Sequence, residues 1–158
     1  MNHARWVEGC ELIRHGRGAA ALRLGFGPGL RPVNAIEQLR HLLERESFWA
    51  RGRSGRQLRR MLRGSDAAVS AWRGRRLVGF GRATSDGLYR AVLWDVVVVE
   101  AESGQGLGRR IVETLLSDPA VGEAERIYLM TTNCRGFYER LGFRVSAGQE
   151  LMVKSRSG

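Results

Sequence analysis

At 158 residues, 43% hydrophobic and 27% charged, the chain is long enough to bury a core without disulfide or metal staples. No apolar run approaches the roughly 20 residues that span a bilayer, and Cys10, Cys134, His3, His15 and His41 are too scattered for a disulfide framework or a zinc motif. The formal net charge of +10 is carried almost wholly by arginine, Lys154 being the only lysine; the arginines are spread along the chain rather than stacked on one face, so a solvated coat is expected in preference to a nucleic-acid surface.

The opening "MNHARWVEGCELIRHGRGAAALRLGFG" has arginines through its apolar part and no serine before Ser47. Neither a secretory nor a transit peptide is expected, and a cytoplasmic location follows as an expectation. "GFGPGLRP" reads as loop. Asn34 and Glu37 have capping-box spacing, and Ile36, Leu39, Leu42 and Leu43 repeat at helical intervals, predicting a helix over 35–47. Ser54 is positioned to cap a second helix, "GRQLRRMLRG", with Leu58, Met61 and Leu62 on one side.

From Ala67 the period changes to two. "AAVSAW", "RLVGFGRAT" and "LYRAVLWDVVVV", separated by turns, predict three antiparallel strands, the third covered on both faces. "RRIVETLLSD" then reads as a helix ended by Asp118-Pro119, "RIYLMTT" as a strand, "FYERLGF" as a short helix closed by Gly142, and "ELMVKS" as a last strand. The expected class is α+β, a mixed, mostly antiparallel sheet of order βββ-α-β-α-β after two N-terminal helices, with helices on both faces. One domain spanning 1–158 is expected, with 1–66 as an N-terminal segment and 67–153 as the core.

Between "LWDVVVV" and "IVETLLS" stands "ESGQGLGRR". A strand, a glycine turn and a helix N-terminus gather unpaired backbone N–H groups and the positive end of a helix dipole at one point, which makes an anion site. The dinucleotide pattern GxGxxG fails because Ile111 stands where the third glycine would fall, and a phosphate-binding GK[ST] loop fails because no lysine is present. A plain tight turn is the other reading of the same residues.

Ser103-Gly104-Gln105-Gly106-Leu107-Gly108, followed one strand later by Phe137-Tyr138-Glu139-Arg140-Leu141-Gly142-Phe143, resembles the two signatures of the GNAT superfamily of acetyl-CoA-dependent N-acetyltransferases. Ser103 departs from the family's Gln or Arg. The Asn that often precedes the tyrosine by six or seven residues is replaced by Thr131 and Thr132, with Asn133 nearer. "LVGFGRATSDGLYRAVLWDVVV" is similar to the plant and cyanobacterial branch related to serotonin N-acetyltransferase. The resemblance implies acetyl-CoA as co-substrate, with Gly104, Gln105, Gly106, Leu107, Gly108 and Arg109 at its pyrophosphate and Val96, Val97 and Val98 along its pantetheine arm; no metal is expected, on the scattered spacing of histidines and cysteines. The resemblance also implies Tyr138 at the general-acid position.

Asp95, the one acid in a strand otherwise apolar but for Arg90, is the candidate base for the amine, directly or through a water; a structural carboxylate paired with an arginine is the competing reading. Trp94 and Phe80, with Trp72 and Tyr128, are candidates for an aromatic wall around an arylalkylamine, and Asp86 and Glu139 for contact with a cationic substrate. Cys134 reads as a small apolar residue near the cofactor loop. Expected partners are a small-molecule amine or, as runner-up, a protein amine; a membrane and nucleic acid are not expected, and a homodimer is left open.

Overall fold

The computed structural model describes residues 4–7 and 9–156. It opens on an antiparallel hairpin, β1 (Ala4–Val7) and β2 (Cys10–His15), joined through left-handed Gly9. Sequence reading finds only helices before Ala67. The hairpin escapes it because Glu11 and Arg14 interrupt the apolar positions, although Cys10 and Leu12 do alternate inward to one face and Ile13 to the other.

A single turn, α1 (Ala20–Arg23), precedes α2 (Ala35–Glu46) and α3 (Gly55–Arg63). The capping box expected at Asn34 does not form. Asn34 is left-handed, its side chain caps nothing, and Glu37 accepts instead from Arg40. At α3 the box is complete: Gln57 N–H donates to Ser54 Oγ at 3.1 Å and Ser54 N–H to Gln57 Oε1 at 2.8 Å.

Strands β3 (Ala67–Arg73), β4 (Arg76–Ser85) and β5 (Arg90–Val98) follow as expected. Helix α4 (Leu107–Leu116) crosses over, and Asp118 with Pro119 starts the one-turn α5 (Pro119–Gly122). β6 (Arg126–Tyr128) and α6 (Arg135–Glu139) complete the regular structure. Spatial order is β1-β2-β3-β4-β5-β6, antiparallel throughout except for the parallel β5–β6 pair. The strand expected at "ELMVKS" does not form. The free edge next to it, β6, is only three residues long, and Leu151, Met152 and Val153 stay 70%, 88% and 76% exposed.

Apolar burial divides between the two faces of the sheet. On one, Leu39 and Leu43 of α2 and Leu58 and Leu62 of α3 pack on Trp72, Phe80 and Val97. On the other, Ile111, Val112 and Leu115 of α4 pack on Val69, Val78 and Leu93. A Cβ at Gly79 would lie 2.7 Å from Ile111 Cδ1, and one at Gly81 2.9 Å from Ile111 Cγ2, so α4 sits directly on the β4 backbone.

His15 and Ser70 share a buried hydrogen bond, His15 Nε2 to Ser70 Oγ at 2.8 Å, and the Trp72 indole N–H donates to the same hydroxyl at 2.8 Å. Burial pushes the imidazole pKa down to about 4, because desolvation disfavours the charged ring. The unfolded chain takes up this proton first, near pH 6.5. Stability is therefore expected to fall by roughly 3 kcal/mol as pH drops from about 6.5 to 4. Urea unfolding of wild type and His15→Leu across that range checks this, since the variant loses that component of the slope.

Candidate active site

The site is built where β5 leaves its neighbours. β5 pairs with β6 only from Arg90–Arg126 to Val92–Tyr128, so residues 93–98 have an open edge on that side. Val99 N–H donates to Val78 O at 2.9 Å. Strand alternation then turns the N–H groups of Val98 and Val96 toward the open edge and that of Val97 toward β4.

On the β4 side the ladder is interrupted. Arg82 faces Trp94 and Phe80 faces Val97, so Gly81 alone stands opposite Asp95 and Val96, which is a β-bulge. Asp95 occupies it with φ 54, a left-handed conformation that aspartate tolerates better than a β-branched residue. Its carboxylate accepts from Arg82 Nε at 2.8 Å on one oxygen, and from the Trp49 indole N–H at 3.0 Å and Arg53 Nη1 at 3.2 Å on the other. The side chain is only 3% exposed. Burial by itself would raise its pKa, but the hydrogen bond and charge of Arg82, with the charge of Arg53 and the Trp49 N–H, together hold it below the usual carboxylate range.

These groups line a cleft of about 620 Å³ together with Phe48, Trp94, Val96, Met130 and Tyr138. A second cavity of about 550 Å³, reaching Tyr128 and Phe143, shares Trp94, Tyr138 and Leu151 with it. Tyr138 is fixed edge-to-face against Phe137, centroids 4.9 Å apart, and against Phe143 at 5.9 Å. Burial, with a smaller contribution from Cys134, pushes its phenol up to about 12, so the hydroxyl keeps its proton at neutral pH.

At the end of β5 the chain makes one turn over 100–102 and enters the glycine segment. Gly104 and Gly106 have φ 78 and 83, a conformation open to glycine without penalty. Gly108 serves differently, since a Cβ there would meet Phe137 at 3.4 Å. None of the backbone N–H groups from Gly104 to Arg109 donates to a protein acceptor among the described residues, which leaves them free for a pyrophosphate. Arg109 Nε is held by Glu113 Oε1 at 2.7 Å. The loop is tethered from behind: buried Glu102 takes a bidentate pair from Arg73 Nε and Nη2, both at 2.7 Å.

Of the candidate residues, the structure brings Asp95, Tyr138, Val96 and Trp94 to one cleft. Four expectations change. Phe80 is fully buried beneath α2 and α3, and Trp72 is likewise core, so neither walls a substrate. Val97 points into that core as well. Asp86 is consumed by its own turn, accepting from the N–H groups of Leu88, Tyr89 and Arg90, and Glu139 lies in the second cavity, paired with Arg135. Cys134 is exposed beside the cleft rather than packed. Sequence reading missed Phe48, Trp49, Arg53 and Arg82. The last had a signal, because Arg82 sits mid-strand among apolar residues.

The fold and this cleft define an α+β protein whose sheet has an open edge along the end of β5, followed by a glycine turn and a helix N-terminus. Residues 36–143 match the acetyltransferase (GNAT) family, and the chain belongs to that family. It is 43% identical over 70 residues to GCN5-related N-acetyltransferase 1, chloroplastic, of Arabidopsis thaliana, covering 44% of this chain and 36% of that protein. With serotonin N-acetyltransferase 2, chloroplastic, of Oryza sativa subsp. japonica, it shares 44% identity over 69 residues, 43% of this chain and 34% of the relative. The match thus spans about a third of these relatives' length. A crystal structure from Xanthomonas campestris pv. campestris, of a protein described as belonging to the GNAT family, superposes with TM-score 0.70 at 25% identity, covering 78% of this chain and 87% of that one.

Proposed function

We propose that the protein transfers an acetyl group from acetyl-CoA to the primary amine of a small arylalkylamine built like serotonin or tryptamine. One observation carries the reading: six consecutive amides, Gly104 to Arg109, without a protein acceptor among the described residues, lie just beyond the strand that carries Asp95 and leaves an open edge beside the cleft lined by Tyr138. A diphosphate fits the first and an amide-bearing arm the second, with the open-edge N–H groups of Val98 and Val96 as donors. Phe48, Trp49 and Trp94 give the cleft an aromatic lining suited to an aryl group.

When bound, acetyl-CoA supplies an acetyl carbon already activated as a thioester. Tyr138 keeps its proton and donates a hydrogen bond to the departing sulfur. A thiolate with a reference pKa near 8.5 is too weak a base to take that proton outright, so Tyr138 stabilises charge instead of acting as a full acid. Asp95, with both oxygens engaged by donors and its pKa held low, does not fit a direct base; it holds Arg53 and Arg82 in place. Proton removal from the amine is left to water in the cleft.

A thiol-release assay with acetyl-CoA and a panel of arylalkylamines, aliphatic amines and lysine peptides tests the reading. Turnover of peptides alone transfers the assignment to a protein acceptor; no turnover at all, with salt-sensitive RNA binding, makes the chain a polyanion-binding module. Gly106→Val is expected to weaken acetyl-CoA about tenfold in calorimetry, since a left-handed β-branched residue costs roughly 1–2 kcal/mol.

A further inference from the structure

The cleft contains two arginines and one carboxylate. Arg82 spends Nε on Asp95 and Nη1, weakly, on Ser65 Oγ at 3.5 Å; Arg53 spends Nη1 on Asp95 and on Met61 Sδ at 3.4 Å. Among the described residues no acceptor takes Arg82 Nη2 or the Nε and Nη2 of Arg53. Both side chains line the cleft, Arg53 at 30% and Arg82 at 14% exposure, and no other charged residue does so except Asp95. The lining therefore carries one uncompensated positive charge, because a guanidinium does not lose its proton in a protein.

Such a lining offers a simple arylalkylammonium ion no free counter-charge, since both oxygens of Asp95 are already engaged. It attracts the same skeleton bearing a carboxylate, which a guanidinium binds in a fork. We infer that, within the arylalkylamine class proposed above, the acceptor bound best carries a carboxylate beside the amino group, as in an aromatic amino acid, with Arg53 and Arg82 reading that carboxylate. The same field favours the neutral, attacking form of the amine, since a nearby like charge disfavours its protonation. Asp95 then sets how many guanidinium donors remain for substrate. This inference rests on the acetyl-transfer reading for its chemistry, but its binding geometry can be tested without turnover.

Calorimetric titration of the full chain with N-acetyltryptophan and N-acetyltryptamine, the two products, compares matched ligands that differ by one carboxylate. The carboxylated ligand is expected to bind at least about tenfold tighter, a margin of 1.4 kcal/mol. The preference should shrink to within about twofold in Arg53→Gln and persist in Arg53→Lys, which keeps the charge. Equal or inverted affinities in wild type, or a preference untouched by Arg53→Gln in a folded variant, overturn the inference; so does binding of neither product. The companion assay compares tryptophan with tryptamine as acetyl acceptors. If tryptamine is turned over faster, the carboxylate reading falls while acetyl transfer stands. If N-acetyltryptophan binds as expected but no acceptor releases CoA, acetyl transfer falls while the carboxylate reading stands.

Discussion

Tyr138→Phe is expected to lower kcat about 100-fold while leaving the KM for acetyl-CoA within about twofold. The substitution removes one oxygen and keeps the ring, so the edge-to-face contacts with Phe137 and Phe143 survive and the fold is unaffected. What is lost is one hydrogen bond made to developing negative charge, and donors of that kind are worth about 10²–10³ in kcat in a water-poor site. On the proposed reading, ground-state binding of the cofactor rests instead on the amides of residues 104–109. The result that refutes this is an unchanged kcat, or a loss that appears wholly in KM, either of which assigns Tyr138 to packing alone. Because the phenol ionises only at about 12, no descending limb belonging to Tyr138 should appear in the kcat profile below pH 10.

Asp95→Asn is expected to destabilise the protein by about 3–5 kcal/mol, the range for breaking a buried pair from one side. The amide leaves Arg82 and Arg53 without a counter-charge in a side-chain environment only 3% exposed at Asp95. Urea unfolding at neutral pH measures the loss. A drop below about 1 kcal/mol combined with collapse of kcat would return Asp95 to the chemistry. The pH dependence has a fixed sign. The folded pKa lies below the unfolded one, so the stabilisation is complete above about pH 4 and is lost as pH falls through the lower folded value. Any kinetic pKa between 5 and 7 therefore belongs to another group, the amine included.

The strands from Ala67 to Val98, α3 with its Ser54 cap, and α4 were legible because local chemistry and tertiary burial agree there. So was the glycine loop, since positive φ at Gly104 and Gly106 is a local property of the chain. The first hairpin was not legible, because β2 draws its burial from β3, more than fifty residues away. Trp49 and Arg53 were hidden for a similar reason: they lie in a connecting segment and meet Asp95 only through the packing of α2 and α3 on the sheet. Phe80 misled in the opposite direction, an aromatic beside the site in sequence whose strand phase sends it into the core.

The phase of β5 is set by the left-handed aspartate. Upstream of it Ala91 and Leu93 face α4, whereas downstream Val96 and Val98 take over that face and Val97 turns to the opposite one. β5 is thus two short strands written in different frames and spliced at one residue. Deletion of Asp95 alone would restore one frame to the whole strand, leaving Val96, Val97 and Val98 on the faces they now occupy while removing the bulge and the carboxylate it presents. Length here matters as much as identity: homologous segments can be exchanged safely only if they carry the splice with them.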